Sequence, residues 1–317
     1  MIAPNFKSQL GELNVGELAK RYLAFAAEYY RKPDGRATRE AANMADALRP
    51  CVELSADLPI EQVGLSWLRE VRQCMIDAGL ARKTINARIN RIRRVWRWAV
   101  ENELCTEQPW QRLKALSPLK AGRSQARESG GIKPVSESDV EATACELRQP
   151  LADMVRLMWL TGMRVQELLS MTPGEVEQGD QTWTYRPTHH KTEHHGHERV
   201  IPLGPRAREL LKPWLEERLS EPYLFPSLLQ DRPVFQHGKG RQWAVGSFRQ
   251  AIQRAASRAG VSPWTPLQLR HSAATRIRSM VGLEAARAVL GHKDIATTEI
   301  YAERDVQMAV DAMSLIG

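Results

Sequence analysis

The chain has 317 residues, 43% of them hydrophobic and 26% charged, a length that favours two domains and a composition that excludes a disordered chain. No apolar run approaches the roughly 20 residues that cross a bilayer, the opening MIAPNFKSQL lacks the basic start and apolar stretch of a secretory leader, and the four cysteines have no CxxC spacing, so a cytoplasmic protein with reduced thiols is expected, with no membrane partner and no cysteine zinc site. The 45 Lys+Arg against 37 Asp+Glu give a net charge of +8, which favours a polyanionic partner without identifying it.

Residues 1–117 read as a helical domain, with apolar positions at helical spacing from Val15 to Leu23 and from Leu65 to Ile76 and no strand-like alternation. From Arg82 to Val100, Ile85, Ile89, Ile92, Trp96 and Ala99 fall on one stripe at about 100° per residue, which makes that stripe a core face. Arg88, Arg91, Arg93, Arg94 and Arg97 lie off the stripe, and no acidic residue interrupts them before Glu101. A solvated face usually mixes signs in i,i+4 pairs. A single-sign face instead suits phosphate neutralisation, so these arginines and Lys83 are read as DNA-binding.

Residues 118–134 lie in the stretch SPLKAGRSQARESGGIKP, rich in small, Pro and basic residues. They read as an interdomain linker, with Arg123 a further DNA contact. The second domain, 135–317, opens with a helix start at Ser136-Glu137-Ser138-Asp139 and two helical stretches around Pro150. Residues 182–202 turn β-like, with Thr182-Trp183-Thr184-Tyr185 and Arg199-Val200-Ile201-Pro202-Leu203 as the arms of a hairpin. Helix signals return at 205–220, 247–259, 268–280, 283–290 and 304–315. The predicted fold is mainly α with a small antiparallel sheet, in two domains.

Four short segments of this second domain concentrate residues suited to phosphodiester chemistry. They are Thr161-Gly162-Met163-Arg164-Val165-Gln166-Glu167, the His190-Lys191-Thr192 turn, Leu269-Arg270-His271, and Leu290-Gly291-His292 with Tyr301 nine residues beyond that histidine. In this order and spacing they resemble the tyrosine recombinase (phage integrase) family, and residues 1–117 resemble that family's core-binding domain. A phosphodiester under attack develops charge on its non-bridging oxygens, which two fixed guanidiniums stabilise with forked hydrogen bonds, so Arg164 and Arg270 make sense as a pair. Glu167, one helical step from Arg164, is read as a supporting residue. The resemblance implies that Tyr301 is the nucleophile, forming a 3′-phosphotyrosine and freeing a 5′-hydroxyl without metal or ATP. Lys191 is then the candidate general acid for the leaving oxygen, and His292 binds the phosphate or positions the tyrosine.

One position departs from the family. A histidine usually stands three residues before the second arginine, and here Leu267 stands there. Leucine exchanges no proton, so another group deprotonates the tyrosine, or the other contacts suffice, or the enzyme is slowed or specialised. His271 reads as a packing histidine. The run from His189 to His197 holds five histidines in nine residues, a tract that suggests metal, yet it has neither HExxH spacing nor a cysteine. No metal and no cofactor are therefore expected.

The reading is a site-specific DNA recombinase that closes as a C-shaped clamp on duplex DNA in a prokaryotic cell. The alternatives are a recombinase-like DNA-binding protein with impaired or lost cleavage, and a metallonuclease built on the histidine tract. The resemblance also implies a homotetramer on two DNA sites, with accessory DNA-bending proteins as possible partners. An amphipathic stretch after Tyr301, with Val306, Ala309, Val310, Met313 and Ile316 at helical spacing, is expected to dock on a neighbouring protomer.

Overall fold

A computed structural model describes residues 13–31, 35, 37–180, 183–188, 199–218, 222–226 and 243–291. The chain divides into two units, Met1–Gly130 and Gly131–Gly317, each with its own hydrophobic core.

The described part of the first unit holds helices α1 (Val15–Tyr29), α2 (Arg39–Ser55), α3 (Leu65–Asp77), α4 (Arg82–Glu101) and α5 (Glu107–Lys114). Local chemistry sets the starts of the first two. The Asn14 side chain accepts from the Glu17 N–H at 2.8 Å, and Thr38 Oγ1 accepts from the Glu40 N–H at 3.3 Å, each satisfying a donor that a helix N-terminus leaves open. The core stripe read from the α4 sequence is buried throughout: Ile85, Ile92, Trp96 and Ala99 are fully covered and Ile89 nearly so. Trp96 packs on Trp67 of α3 with ring centroids 5.2 Å apart. Each large side chain buried this way contributes about 1.5–3 kcal/mol, which is what anchors α4 in the unit.

The segment expected to be a linker differs from that expectation. The division between units, at Gly130–Gly131, falls inside 118–134, but the residues before it are folded onto the start of α4. The Arg82 N–H donates to the Arg127 carbonyl at 2.8 Å, Asn86 exchanges hydrogen bonds with both backbone groups of Leu119 at 2.9 and 3.0 Å, and Arg82 pairs with Glu128 at 2.6 Å. Ala126 is buried in the core. The first turn of α4 has open N–H groups, and this stretch supplies the acceptor for one of them, the Arg82 N–H. Its small and basic composition gave no hint of that role.

The second unit holds α6 (Glu137–Cys145), α7 (Leu151–Thr161), α8 (Val165–Leu169), strands β1 (Val176–Glu177), β2 (Trp183–Tyr185) and β3 (Ile201–Leu203), then α9 (Pro205–Glu217), α10 (Val245–Arg258), α11 (Pro266–Val281) and α12 (Leu283–Leu290). The strands form an antiparallel sheet in the order β1-β2-β3, with Val176 opposite Tyr185 and Tyr185 opposite Ile201. Trp183, Tyr185, Ile201 and Leu203 are buried while Pro202 is exposed, the alternation of a sheet with one face on a core. Proline opens both α9 and α11, where its missing N–H costs no helix bond. The hairpin of β2 and β3 matches the sequence reading; β1 is a third strand that the reading did not anticipate. No helix among the described residues is long and apolar enough to cross a membrane.

Candidate active site

The site begins with a turn. Helix α7 ends at Gly162, which sits in the left-handed region at φ 64° and caps the helix by donating its N–H to the Met158 carbonyl at 2.9 Å. A Cβ at this position would stand 2.8 Å from Ala273 Cβ of α11 and 2.9 Å from Leu290 Cδ2 of α12. Both the backbone angle and the close approach require glycine. Two residues later Arg164 occupies the N-cap of α8. Glu167 reaches back to it: Oε2 accepts from the Arg164 N–H and Oε1 from the guanidinium Nη1, both at 2.7 Å. Arg164 stays partly exposed while the Glu167 side chain is almost wholly covered, so the carboxylate works from behind and the guanidinium faces outward.

Arg270, in α11, is 4% exposed. Its Nη1 donates to the Gly162 carbonyl at 2.8 Å and its Nη2 to the Leu290 carbonyl at 2.6 Å. One guanidinium thus ties the turn before Arg164 to the turn that precedes His292 in the chain. Leu267 lies one helical step before Arg270, at the exposed start of α11, where it offers neither a proton nor an acceptor. His271 is buried, in keeping with a packing role.

Arg199 escaped the sequence reading. It stands just ahead of β3, 5% exposed, with Nε 3.5 Å from Glu167 Oε1 and Nη1 donating to the Val289 carbonyl at 2.9 Å. Tyr185 of β2 completes the support by donating its hydroxyl to the Glu167 carbonyl at 2.7 Å. Burial pushes the Glu167 carboxyl up, but Arg199, and then the Arg164 N–H and guanidinium, outweigh it and hold the group below the ordinary carboxylate range. Glu167 is therefore a carboxylate at neutral pH. The only sequence sign of Arg199 was a lone arginine ahead of an apolar strand, a pattern without specificity.

Of the residues read as catalytic, Arg164 and Arg270 are brought together through Gly162, and Glu167 supports Arg164. Lys191, His292 and Tyr301 lie outside the described residues, as do the histidine tract 189–197 and the stretch 304–317. No cluster of three or more His, Cys, Asp or Glu among the described residues could hold a metal ion.

In the first unit, the basic face of α4 is not of one sign once folded, because α2 brings carboxylates to it. Glu40 accepts from both Nε and Nη2 of Arg91, at 3.1 and 2.8 Å, and from Arg94 at 3.1 Å. Arg88 lies 3.8 Å from Asp46 and Arg97 2.8 Å from Glu101. Arg93 donates to the Leu113 carbonyl at 3.0 Å and also to the Leu116 carbonyl, closing the C-terminal end of α5. Hydrogen bonding to Arg91, joined by Asn43 and the charge of Arg94, outweighs burial and holds Glu40 down to about 2. Lys83 and Arg123 are exposed. Glu40 and Asp46 lie about 40 to 55 positions from the arginines they meet, beyond any i,i+4 inspection, whereas Glu101 is the i,i+4 neighbour of Arg97.

A model of the phage integrase family matches residues 138–308, more than half of the chain. Tyrosine recombinase XerC of Actinobacillus pleuropneumoniae serotype 7 is 27% identical over 260 residues, covering 78% of this chain and 79% of its own. XerC of Mycobacterium bovis (strain BCG / Pasteur 1173P2) is 26% identical over 282 residues, covering 86% and 91%. Among solved structures, a lambda integrase dimer bound to a COC′ core site has a TM-score of 0.70 at 17% identity, covering 96% of this chain and 81% of that one. A lambda integrase tetramer bound to a Holliday junction has a TM-score of 0.67 at 17% identity, covering 92% and 78%. At these identities the solved structures establish the fold, and the family match carries the assignment: the chain belongs to the phage integrase family of tyrosine-type site-specific recombinases.

Proposed function

We propose that this recombinase breaks and rejoins duplex DNA through a covalent 3′-phosphotyrosine at Tyr301. The observation that carries the reading is the arginine pair. Arg164 is held from behind by Glu167, and Arg270 is fixed to the carbonyl of Gly162, two residues before Arg164. Guanidiniums preset in this way stabilise the charge that develops on a phosphate without reorganising during the reaction.

In the proposed step the Tyr301 phenolic oxygen forms a bond to phosphorus and the bond to the 5′-oxygen breaks. The departing oxygen takes a proton from Lys191, and the Tyr301 proton passes to a group other than residue 267, since leucine accepts none. His292 contacts the phosphate or positions the tyrosine. Attack by a 5′-hydroxyl reverses the sequence and rejoins a strand, so the bond energy is conserved and neither metal nor ATP enters the balance. Lys83, Arg123 and those arginines of α4 that exchange carboxylates for phosphates supply affinity for the duplex. A homotetramer on two DNA sites is the assembly we favour, supported by lambda integrase, whose solved forms include a dimer on a core site and a tetramer on a Holliday junction.

The test is a nicked suicide duplex whose sequence is selected by binding from a random library. The protein is expected to become covalently linked to it. Binding without a covalent species would favour instead a recombinase-like DNA-binding protein that has lost cleavage, the reading to which Leu267 gives weight.

A further inference from the structure

Arg199 belongs to none of the segments that carry the family resemblance, yet it touches both sides of the site. Nε lies 3.5 Å from Glu167 Oε1, the carboxylate that holds Arg164. Nη1 donates to the Val289 carbonyl at 2.9 Å, and a Cβ on Gly291 would stand 2.7 Å from the same nitrogen. Gly291 has a φ of 64°, so the turn is shaped to admit this guanidinium, and the next residue in the chain is His292.

The charge balance gives the arrangement a purpose. Glu167 alone would neutralise Arg164, leaving an ion pair where a phosphate needs a cation. With Arg199 present the three side chains carry one net positive charge, and it is expressed at Arg164, the partly exposed member. A buried ion pair is costly, and an apolar side chain of similar size would fill the same space with less penalty. The Nη2 of Arg199 is buried with no hydrogen-bond partner among the described residues, a further cost that packing alone does not call for. What arginine adds here is its charge and its fork of donors.

We propose that Arg199 is a positioning residue of the recombination site, one that neutralises Glu167 so that Arg164 keeps its charge for the phosphate and that ties the Val289–Gly291 turn to the same carboxylate. This rests on the recombinase reading above. Among the described residues, the charged groups facing Glu167 are Arg164, from its own helix cap, and Arg199, from just ahead of β3; the Tyr185 phenol on β2 faces its carbonyl.

The experiment compares Arg199→Met, Arg199→Lys and the double variant Arg199→Met/Glu167→Gln in the full chain. It uses single-turnover adduct formation on the selected suicide duplex across pH 5–9, together with duplex binding, thermal melting and ¹³C NMR titration of the Glu167 carboxyl, identified by its loss in Glu167→Gln. Arg199→Met is expected to slow adduct formation by about 10- to 100-fold with binding nearly unchanged. It should also raise the Glu167 titration and move the acid limb of the rate profile up with it. Arg199→Lys should regain part of the rate by restoring charge, and Glu167→Gln should regain part in the Arg199→Met background by removing the carboxylate that cancels Arg164. Unchanged rate and carboxyl titration in Arg199→Met would overturn the proposal. So would an equal loss in all three variants that tracks a lowered melting temperature, since that is a purely structural role. Absence of an adduct from the unsubstituted protein would refute the recombinase reading itself, and the carboxyl titration would still decide the link between Arg199 and Glu167.

Discussion

Arg270 and Gly162 are joined by a 2.8 Å hydrogen bond from the guanidinium to the backbone carbonyl, so the position of Arg270 is tied to the turn that launches Arg164. The contact explains why a glycine turn and an arginine more than 100 residues apart belong to one constellation. A shift in either displaces both guanidiniums at once.

That turn makes Gly162→Ala a sharp probe. A methyl group would have to occupy a left-handed backbone position and would stand 2.8 and 2.9 Å from Ala273 and Leu290. Strain of roughly 1–2 kcal/mol and overpacking of roughly 1–3 kcal/mol predict a loss of about 2–5 kcal/mol in denaturant unfolding of the second unit. Adduct formation should fall further than stability alone explains, because Arg164 is displaced. A melting curve and an adduct rate equal to those of the parent protein would contradict this geometry.

Arg164→Ala should leave the fold intact, since its side chain is partly exposed and Glu167 retains Arg199 as a partner. Single-turnover adduct formation should drop by about 10²–10³-fold, the usual cost of one preset donor to transition-state charge. Duplex binding measured by anisotropy should change little.

In the first unit, the two kinds of basic residue should separate. Lys83→Ala and Arg123→Ala remove exposed charges and are each expected to lower the slope of log affinity against log salt by about 1, with melting unchanged. Arg91→Ala removes two of the hydrogen bonds that the Glu40 carboxylate receives and should lower the melting temperature with a smaller change in slope. If Arg91→Ala instead flattens the slope as Lys83→Ala does and leaves melting untouched, Arg91 exchanges Glu40 for phosphate on binding.

Glu40 also sets an acid limit. Its carboxyl is held at about 2 in the fold against an ordinary 4.5, so its stabilising contribution is complete above about pH 5 and is lost as pH falls toward 2. The drop is worth roughly 3 kcal/mol, reduced to about 2 kcal/mol by solvent at a carboxyl that is 24% exposed. Urea unfolding of Glu40→Gln is predicted to show that loss at pH 7 and a flatter response between pH 5 and pH 2 than the parent chain.

Periodicity and short motifs made much of this legible. The buried stripe of α4 was readable because its apolar positions repeat with the helix, and the Thr-Gly turn was readable because an arginine follows it at a fixed offset. Arg199 and Tyr185 were not readable, since their roles come from Glu167 and Val289, which only folding brings near. The pairing of Arg91 and Arg94 with Glu40 was hidden for the same reason: the sign of a helix face depends on the helix packed beside it. Leu119 and Arg127 looked like linker because polar and small residues mark loops, whereas their backbone groups complete the start of α4.

Strand cleavage by Tyr301 is tested most directly by recovery of a covalent protein–DNA species on the suicide duplex, with the linked peptide identified by mass spectrometry. The parent protein should yield a peptide carrying nucleotide on Tyr301, and Tyr301→Phe should bind the duplex equally well and yield none. An adduct that persists in Tyr301→Phe, or one mapped to another residue, would contradict the account.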